Sequence, residues 1–194
     1  MTTTTRDEAR RSEARVPLEV PPTVFGRVME WYSRRAYGDV LDTGLAMLHN
    51  RKVLKAVMGF ERRVAGWDAL DPNLKTLAQM ASAAQIGCSW CVDFGWYAAH
   101  SEGLDVSRLE ELPRWRDSEV FTPLERDVIE YSEAMTATPP EVTDELAVRL
   151  REALGDEAFV ELTMMVAVEN ERSRFNSALG LTSQGFKDRC ELAR

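Results

Sequence analysis

The sequence predicts an all-α protein, and three observations support this prediction. Apolar residues recur at spacings of three and four along most of the 194-residue chain, which is the period of helices that pack one face against a core. Strict alternation of apolar and polar residues, which is typical of strands, is scarce. Residues that start and end helices stand at the boundaries of the periodic segments. At this length the chain can form one domain with its own core.

The periodic segments define a series of helices in chain order. The first has Val24, Val28 and Trp31 on one face, and Gly155 separates the last two as a natural C-cap. No repeat or internal linker interrupts the series, so residues 19–194 are predicted to form a single domain. The predicted helices cover residues 23–38, 39–50, 51–67, 70–87, 88 onward, 121–137, 141–155 and 156–180.

Two of these helices carry clear capping signals. Asp71 is the predicted N-cap of the helix that leads to the cysteine pair, Pro72 occupies its first helical position, and Gly87 ends it. Thr122 and Glu125 form a capping-box pattern at the start of a later helix. These signals fix the positions of the helix ends better than periodicity does.

The last predicted helix contains a segment, residues 162–168, that is apolar around the whole helical wheel. Such a segment is buried centrally or lies between subunits. Glu169 follows the apolar segment and falls on its buried side, which predicts a partly buried carboxylate. Two interpretations are open: an ion pair with Arg172 or Arg174, or a proton acceptor that faces an active site.

The N-terminal segment, residues 1–18, is polar and low in complexity, and it is predicted to be a disordered tail. It lacks the hydrophobic region of a secretory signal, and no apolar run approaches the roughly 20 residues that span a bilayer. We therefore expect a cytoplasmic protein without a membrane segment. The net charge is −8, with basic residues mixed among acidic ones, which argues against nucleic acid as a partner.

The motif Cys-Ser-Trp-Cys, at residues 88–91, is the strongest functional signal in the chain. In a reducing compartment, a close cysteine pair is more typical of catalysis or metal binding than of a structural disulfide. A closed zinc site needs four ligands, and outside the motif the chain offers only Cys190, His49 and His100. His100 would lie on the opposite side of the helix from Cys91, about 13 Å along it. No metal site is therefore predicted, and two inert buried cysteines are the remaining alternative.

Dithiol–disulfide chemistry is the interpretation that the motif favours. If the helix starts near Cys88, both thiols lie in its first turn, where free backbone N–H groups and the helix dipole stabilise a thiolate. The thiolate is the nucleophile, and the second thiol converts the oxidised product into a disulfide. The dipole alone favours Cys88 as the nucleophile, and Cys190 is interpreted as an incidental thiol. No glycine-rich phosphate loop or dinucleotide fingerprint is present, so no cofactor is predicted.

Two segments, 77–99 (LAQMASAAQIGCSWCVDFGWYAA) and 136–181 (TATPPEVTDELAVRLREALGDEAFVELTMMVAVENERSRFNSALGL), resemble the carboxymuconolactone decarboxylase family and, within it, the AhpD-like alkylhydroperoxidases. The resemblance covers most of the chain beyond about Val20. It implies an all-α, AhpD-like helical domain that forms homo-oligomers and reduces small hydroperoxides. A lipoyl- or thioredoxin-like dithiol reductant would restore the thiols. The resemblance also implies Cys91 as the attacking thiol and Cys88 as the resolving one, so the order stays open.

The chain departs from the family pattern at two relay positions. Redox members carry a His four residues after the second cysteine and a Glu about twelve residues before the first, where this chain has Gly95 and Thr76. General-base help is worth about 10²–10⁴ in rate, so weak or altered activity is expected. His49, Glu169 and Asp93 are candidate replacements, although Asp93 points about 200° away from the second cysteine. Gly95 either permits close helix packing or leaves room for a substrate.

The predicted function is therefore a thiol-dependent oxidoreductase of the peroxidase type, which works through a Cys88/Cys91 dithiol–disulfide cycle. A non-enzymatic redox sensor or oligomeric scaffold is the main alternative, because both acid–base groups of the relay are missing. Decarboxylation of a small lactone acid is the second alternative. That reaction does not use a CxxC pair in the family, so the motif counts against it.

Overall fold

The computed structural model describes residues 3–188, with side chains described from Asp7 onward. These residues form helices joined by loops and contain no strand, which confirms the all-α prediction. A short 3₁₀ turn, Leu112–Arg114, follows the seventh helix. The helices are α1 (Thr3–Glu13), α2 (Val24–Tyr37), α3 (Asp42–Leu48), α4 (Arg51–Val64), α5 (Pro72–Ile86), α6 (Ser89–Ser101), α7 (Ser107–Glu111), α8 (Pro123–Thr136) and α9 (Asp144–Ala178).

The predicted capping signals of α5 and α8 are confirmed. The Asp71 side chain accepts hydrogen bonds from the first free N–H groups of α5, and Gly87 ends that helix in the left-handed conformation at φ 79°. At the start of α8, the Thr122 hydroxyl accepts from the Glu125 N–H while the Glu125 carboxylate accepts from the Thr122 N–H. Both helices therefore begin where the sequence predicts.

Helices α5, α8 and α9 pack against one another and form the centre of the domain. The apolar segment of α9 lies in this centre, since Leu162 and Val166 are fully buried. Burying an aliphatic side chain of this size contributes about 1.5–3 kcal/mol. The buried cluster consists of Leu70, Leu74, Ala78, Val128, Tyr131, Leu146, Leu150, Ala158, Leu162 and Val166.

Helix α9 consists of two helical segments that meet at a kink at Gly155, as the sequence predicts. That residue has non-helical angles, φ 79° and ψ 165°, so the helix bends where the sequence predicts an end. A positive φ of this kind favours glycine. Although α9 spans 35 residues, none of the described helices has both the length and the apolar character needed to cross a membrane.

Helix α6 packs on α5 and so places the CxxC motif beside the end of that helix. Their contact is part of a second buried cluster that also includes the 3₁₀ turn. This packing fixes the later turns of α6, at Trp96 and Ala99, against the bundle, whereas the cysteines belong to a separate apolar cluster. The second cluster consists of Leu77, Met80, Ala81, Trp96, Ala99, Leu109, Leu112, Trp115, Phe121 and Ile129.

The N-terminal segment differs from the disordered tail predicted for residues 1–18. Residues 3–13 form α1, and the chain that follows it packs on the domain, where Leu18 is buried. Arg10 is also buried and forms an ion pair with the buried Asp42 at the start of α3. A buried charge needs such a partner. The polar composition that suggested disorder includes the arginine that anchors this segment.

Helix α2 forms as predicted, with the Thr23 hydroxyl accepting a hydrogen bond from the Gly26 N–H. The face that carries Val24, Val28 and Trp31 is exposed in the described chain. The helical periodicity of this segment therefore predicts the helix correctly but does not indicate a core face within the subunit.

Candidate functional site

The two cysteines of the motif lie at the start of α6 and are joined by a disulfide, with their Cα atoms 5.3 Å apart. Gly87 ends α5 and lets the chain turn directly into Cys88, which is the N-cap of α6. Cys91 is then in the first turn of the helix. The predicted placement of both sulfurs at a helix N-terminus is confirmed.

Each sulfur accepts a hydrogen bond from a different donor. The Cys91 backbone N–H, one of the free groups of the first turn, donates to Cys88 Sγ over 3.2 Å. Asn176 Nδ2, from α9, donates to Cys91 Sγ over 3.3 Å. Sequence reasoning missed Asn176. The one signal for it is its spacing of seven residues from Glu169, which places both side chains on one helix face.

Both sulfurs are shielded from solvent. Cys88 is 1% exposed and Cys91 is 7% exposed, so Cys91 is the more accessible of the two. Trp90, which lies between the two cysteines in the sequence, donates from Nε1 to Gln184 Oε1 over 2.8 Å, and its ring is stacked on Phe94. The buried side chains that pack around the pair are Leu18, Leu45, Ala46, Ala83, Trp90 and Leu181.

The N-terminal segment forms one wall of this cluster through Leu18. The Arg15 backbone N–H donates to Leu179 O over 2.8 Å, and its guanidinium donates to Ala178 O. These two carbonyls lie at the end of α9, where helix carbonyl groups have no helical partner. A segment predicted to be a disordered tail therefore contributes to the apolar cluster that contains the disulfide.

Two of the predicted replacement bases have other partners. His49 is exposed, and its Nε2 lies 2.9 Å from Pro17 O, so it contacts the N-terminal segment. The Asp93 carboxylate accepts hydrogen bonds from the Phe186 and Lys187 N–H groups and caps the short helical turn that follows. Neither arrangement brings a carboxylate or an imidazole to the cysteines.

The two relay positions of the family hold no acid–base group, and their surroundings differ. A Cβ atom at Gly95 would lie 2.6 Å from Met80 Sδ, so α5 fills the space where a relay histidine would stand. Gly95 thus permits close helix packing, and the alternative of an open substrate space is wrong. Thr76 lines a polar cavity of about 190 Å³ together with Arg108 and Glu125.

Glu169 is the third predicted replacement base, and the structure buries it on α9. Its Oε1 accepts from the Ser173 hydroxyl over 2.7 Å, and its Oε2 lies 3.5 Å from Arg172. Arg172 bonds more closely to Glu61 of α4, at 2.8 and 2.5 Å. Arg174 instead contacts the end of α8. Of the two predicted ion pairs, the one with Arg172 forms, but it is the weaker contact of that arginine.

Burial raises the pKa of Glu169 to about 7, although Arg172 and the Ser173 hydroxyl act in the opposite direction. Glu161, at the other end of the apolar segment, shows the contrast. Burial acts to raise its pKa as well, but the Lys75 ammonium at 2.6 Å and the Ala69 N–H outweigh burial and lower it. Of these two carboxyl groups, Glu169 is therefore the one that changes charge near neutral pH.

No group of three His, Cys, Asp or Glu side chains within the described residues is arranged to hold a metal ion. Cys190, interpreted above as an incidental thiol, lies outside those residues.

Comparison with known proteins identifies the family. The model of the carboxymuconolactone decarboxylase family matches residues 51–134, which include the whole motif. The chain is 32% identical over 174 residues to the uncharacterized protein YnjA of Escherichia coli, a match that covers 88% of this chain and 93% of YnjA. The chain belongs to the carboxymuconolactone decarboxylase family.

Solved structures show that this member of the carboxymuconolactone decarboxylase family has an AhpD-like fold. A protein of unknown function from Agrobacterium tumefaciens, a candidate antioxidant defence protein AhpD, matches with a TM-score of 0.66 and 24% identity, over 71% of this chain and 94% of its own. The debrominase Bmp8, in complex with 2,3,4-tribromopyrrole, matches with a TM-score of 0.77 and 17% identity, over 92% and 95%. At these identities the likeness concerns the fold.

Proposed function

We propose that the protein is a thiol-dependent oxidoreductase that reduces small hydroperoxides through a Cys88/Cys91 dithiol–disulfide cycle. The observation that carries the proposal is the bonded pair at the start of α6, in which each sulfur has its own hydrogen-bond donor. Donors of this kind stabilise a thiolate, which is the reactive form of cysteine. Resemblance to the AhpD-like branch of the family supports the same chemistry.

The proposed cycle begins when the Cys91 thiolate attacks the outer oxygen of the hydroperoxide. The O–O bond breaks, Cys91 becomes a sulfenic acid, and the released alkoxide takes up the proton that left the thiol. The Cys88 thiol then attacks the Cys91 sulfur, so the disulfide forms and water leaves. A lipoyl- or thioredoxin-like dithiol returns two electrons and two protons by thiol–disulfide exchange and restores both thiols.

Two observations favour Cys91 as the attacking thiol. It is the more exposed of the pair, and its sulfur receives the Asn176 donor. Cys88 is fully buried, and its sulfur accepts a hydrogen bond from the Cys91 N–H in the first turn. A buried position suits a resolving thiol, which has to react only with the neighbouring Cys91 sulfur. The dipole argument for Cys88 considers the helix end alone and omits the donor that α9 supplies to Cys91.

The test follows tert-butyl hydroperoxide consumption by the reduced protein in a stopped-flow instrument, with dihydrolipoamide as the regenerating dithiol. We expect multiple turnovers from the wild type and none from Cys91→Ser. Without dihydrolipoamide, whose thiols would reduce a sulfenic acid directly, Cys88→Ser should react once and stop at a sulfenic acid that dimedone traps. Cys190→Ser is the matched control and should turn over like the wild type.

The burial of both sulfurs favours a second candidate, a redox sensor that is oxidised once and acts through a change in its surface. The same experiment separates the two functions. One equivalent of peroxide consumed per chain, with no further consumption in the presence of dihydrolipoamide, would support the sensor and contradict the peroxidase. No oxidation at all would contradict both.

A further inference from the structure

Three buried polar side chains form a line along one face of α9 that ends at the disulfide. Glu169, Ser173 and Asn176 are separated by four and three residues, so they are successive neighbours on one side of the helix. They are 6%, 0% and 1% exposed. Polar groups this deeply buried need partners or a function. The last of them donates to Cys91 Sγ.

The end of this line that lies away from the disulfide is Glu169, a carboxyl group that holds a proton near neutral pH. Among the described residues, the charged groups that face Glu169 are Arg172 on its own helix and Glu61 from α4. Arg172 makes its two short hydrogen bonds to Glu61 and reaches Glu169 only at 3.5 Å. The positive charge of Arg172 therefore compensates mainly the negative charge of Glu61. Burial dominates at Glu169, and its pKa is about 7.

The middle of the line connects that carboxyl group to the sulfur. The Ser173 hydroxyl donates to Glu169 Oε1 over 2.7 Å, and its oxygen still has lone pairs that accept a hydrogen bond. Ser173 and Asn176 are i, i+3 neighbours on the same face of the helix, with Cβ atoms about 5–6 Å apart, and the relay proposed below requires one water molecule between them. Asn176 Oδ1 is a buried acceptor without a hydrogen-bond partner among the described residues.

We propose that Glu169 is the proton store of the dithiol cycle and acts on Cys91 through Ser173 and Asn176. It takes the place of the relay groups that Gly95 and Thr76 do not supply. As the Cys91 thiolate forms, the thiol proton passes to the Glu169 carboxylate. When the O–O bond breaks, the carboxylic acid returns that proton to the leaving alkoxide, so no proton is gained or lost. The inference rests on the proposed peroxide chemistry.

The proposal separates two reactions of the same sulfur. Reduction of a hydroperoxide requires a proton for the leaving alkoxide, whereas alkylation by iodoacetamide releases iodide, which needs none. Removing the proton store should therefore slow the first reaction and spare the second. A merely structural change at Glu169 would disturb the Cys91 environment and alter both reactions together.

The experiment compares Glu169→Gln with the wild type, with Glu171→Gln as the matched control on the same helix. Single-turnover rates with tert-butyl hydroperoxide and alkylation rates with iodoacetamide are measured on reduced protein from pH 5 to 9. Peptide mass spectrometry assigns the modified cysteine. We expect about a hundredfold loss of the peroxide rate in Glu169→Gln. The fall of the wild-type peroxide rate above about pH 7 should also disappear in that variant.

Ser173→Ala tests the connection without removing the acid. It should slow the peroxide reaction at least tenfold while alkylation at high pH stays within twofold of the wild type. Equal peroxide profiles in Glu169→Gln and the wild type, or equal losses in both reactions, would overturn the relay. If the wild type does not reduce hydroperoxide, the proposed function fails. The relay then fails with it, because the relay rests on that chemistry.

Discussion

Asn176 Nδ2 donates a hydrogen bond to Cys91 Sγ over 3.3 Å and across 85 residues of sequence. The amide is buried, and it offers the sulfur a donor when Cys91 is a thiolate and an acceptor when it is a thiol. Leaving a buried polar atom such as Asn176 Oδ1 without a partner costs about 1–3 kcal/mol. The end of α9 is therefore part of the sulfur environment, and it makes Asn176 the first residue to substitute.

Asn176→Ala removes the donor to Cys91, and we expect the thiolate of the reduced protein to become less stable. A hydrogen bond to a charged group is worth about 1.5–3 kcal/mol, so the pH at which Cys91 becomes reactive should rise by about one to two units. The rate of Cys91 alkylation by iodoacetamide between pH 5 and 10, with the site assigned by peptide mass spectrometry, measures this shift.

Asn170→Ala is the matched control for this prediction. Asn170 lies on the same helix and donates to Thr136 Oγ1, so its loss removes a partly buried hydrogen bond of α9 that does not involve sulfur. We expect its alkylation profile to match the wild type. A profile for Asn176→Ala that also matches the wild type would contradict a role for this amide in the reduced state.

Arg10→Ala should make the dithiol more accessible. Arg10 pairs with the buried carboxylate of Asp42, and removing one partner of a buried pair typically costs about 3–5 kcal/mol. We expect the N-terminal segment to detach at this cost. Each 1.4 kcal/mol lost from its closure raises the open population about tenfold, so alkylation of reduced Cys88 and Cys91 should accelerate at least tenfold.

The control for this change is Arg11→Ala, because Arg11 is exposed and adjacent in sequence. It removes the same charge from the segment without unpairing Asp42. Alkylation rates in Arg11→Ala should stay within twofold of the wild type. Unchanged rates in Arg10→Ala would mean that the segment does not limit access to the sulfurs.

Local chemistry explains why much of the fold could be predicted from the sequence. Asp71, Gly87 and the Thr122–Glu125 pair act within a few residues of their own position, so their side chains and backbone angles decide the helix ends directly. The same holds for the cysteine pair, whose placement follows from the glycine that precedes it.

The parts of the site that could not be predicted depend on contacts between distant segments. Arg15 bonds to the end of α9 across 163 residues, and nothing in the polar sequence of residues 1–18 indicates that partner. Likewise, nothing in the sequence around Asn176 indicates that its amide bonds to a cysteine of α6. That contact depends on how α6 and α9 pack together. Gly155, by contrast, acts locally: its φ of 79° interrupts α9 where the sequence predicts a helix end.

Gly95→His should not restore the relay histidine of the family. Any Cβ at this position meets Met80 Sδ at 2.6 Å, so the side chain of Met80 must move before an imidazole fits between α5 and α6. Overpacking of this kind costs about 1–3 kcal/mol. We expect both Gly95→Ala and Gly95→His to lower the free energy of unfolding in urea, without any gain in peroxide turnover.

The matched test combines each substitution with Met80→Ala. If Met80 is the obstacle, the double variant Gly95→Ala/Met80→Ala should lose less stability than the sum of the two single variants. Additive losses would show that the space above Gly95 is closed by something other than Met80. A rise in peroxide turnover in Gly95→His alone would contradict the steric argument.

Glu169 should make the protein less stable as the pH rises from about 4.5 to 7. Over this range the unfolded chain releases the proton of this carboxyl group, while the folded chain keeps it because burial raises the pKa to about 7. The unfolded state binds fewer protons there, so the free energy of unfolding falls with pH and levels off above 7. The difference between the two pKa values corresponds to roughly 3 kcal/mol.

In Glu169→Gln this decline should be absent, because the amide has no proton to release. Urea unfolding at intervals of half a pH unit between 4 and 8 measures it, and Glu152→Gln, at an exposed position of the same helix, provides the control. The two variants should differ most above pH 7, where Glu169→Gln is expected to be the more stable. An equal decline of the free energy of unfolding in both variants would contradict this prediction. It would mean that Arg172 compensates the charge of Glu169 fully and keeps that carboxyl group ionised throughout this range.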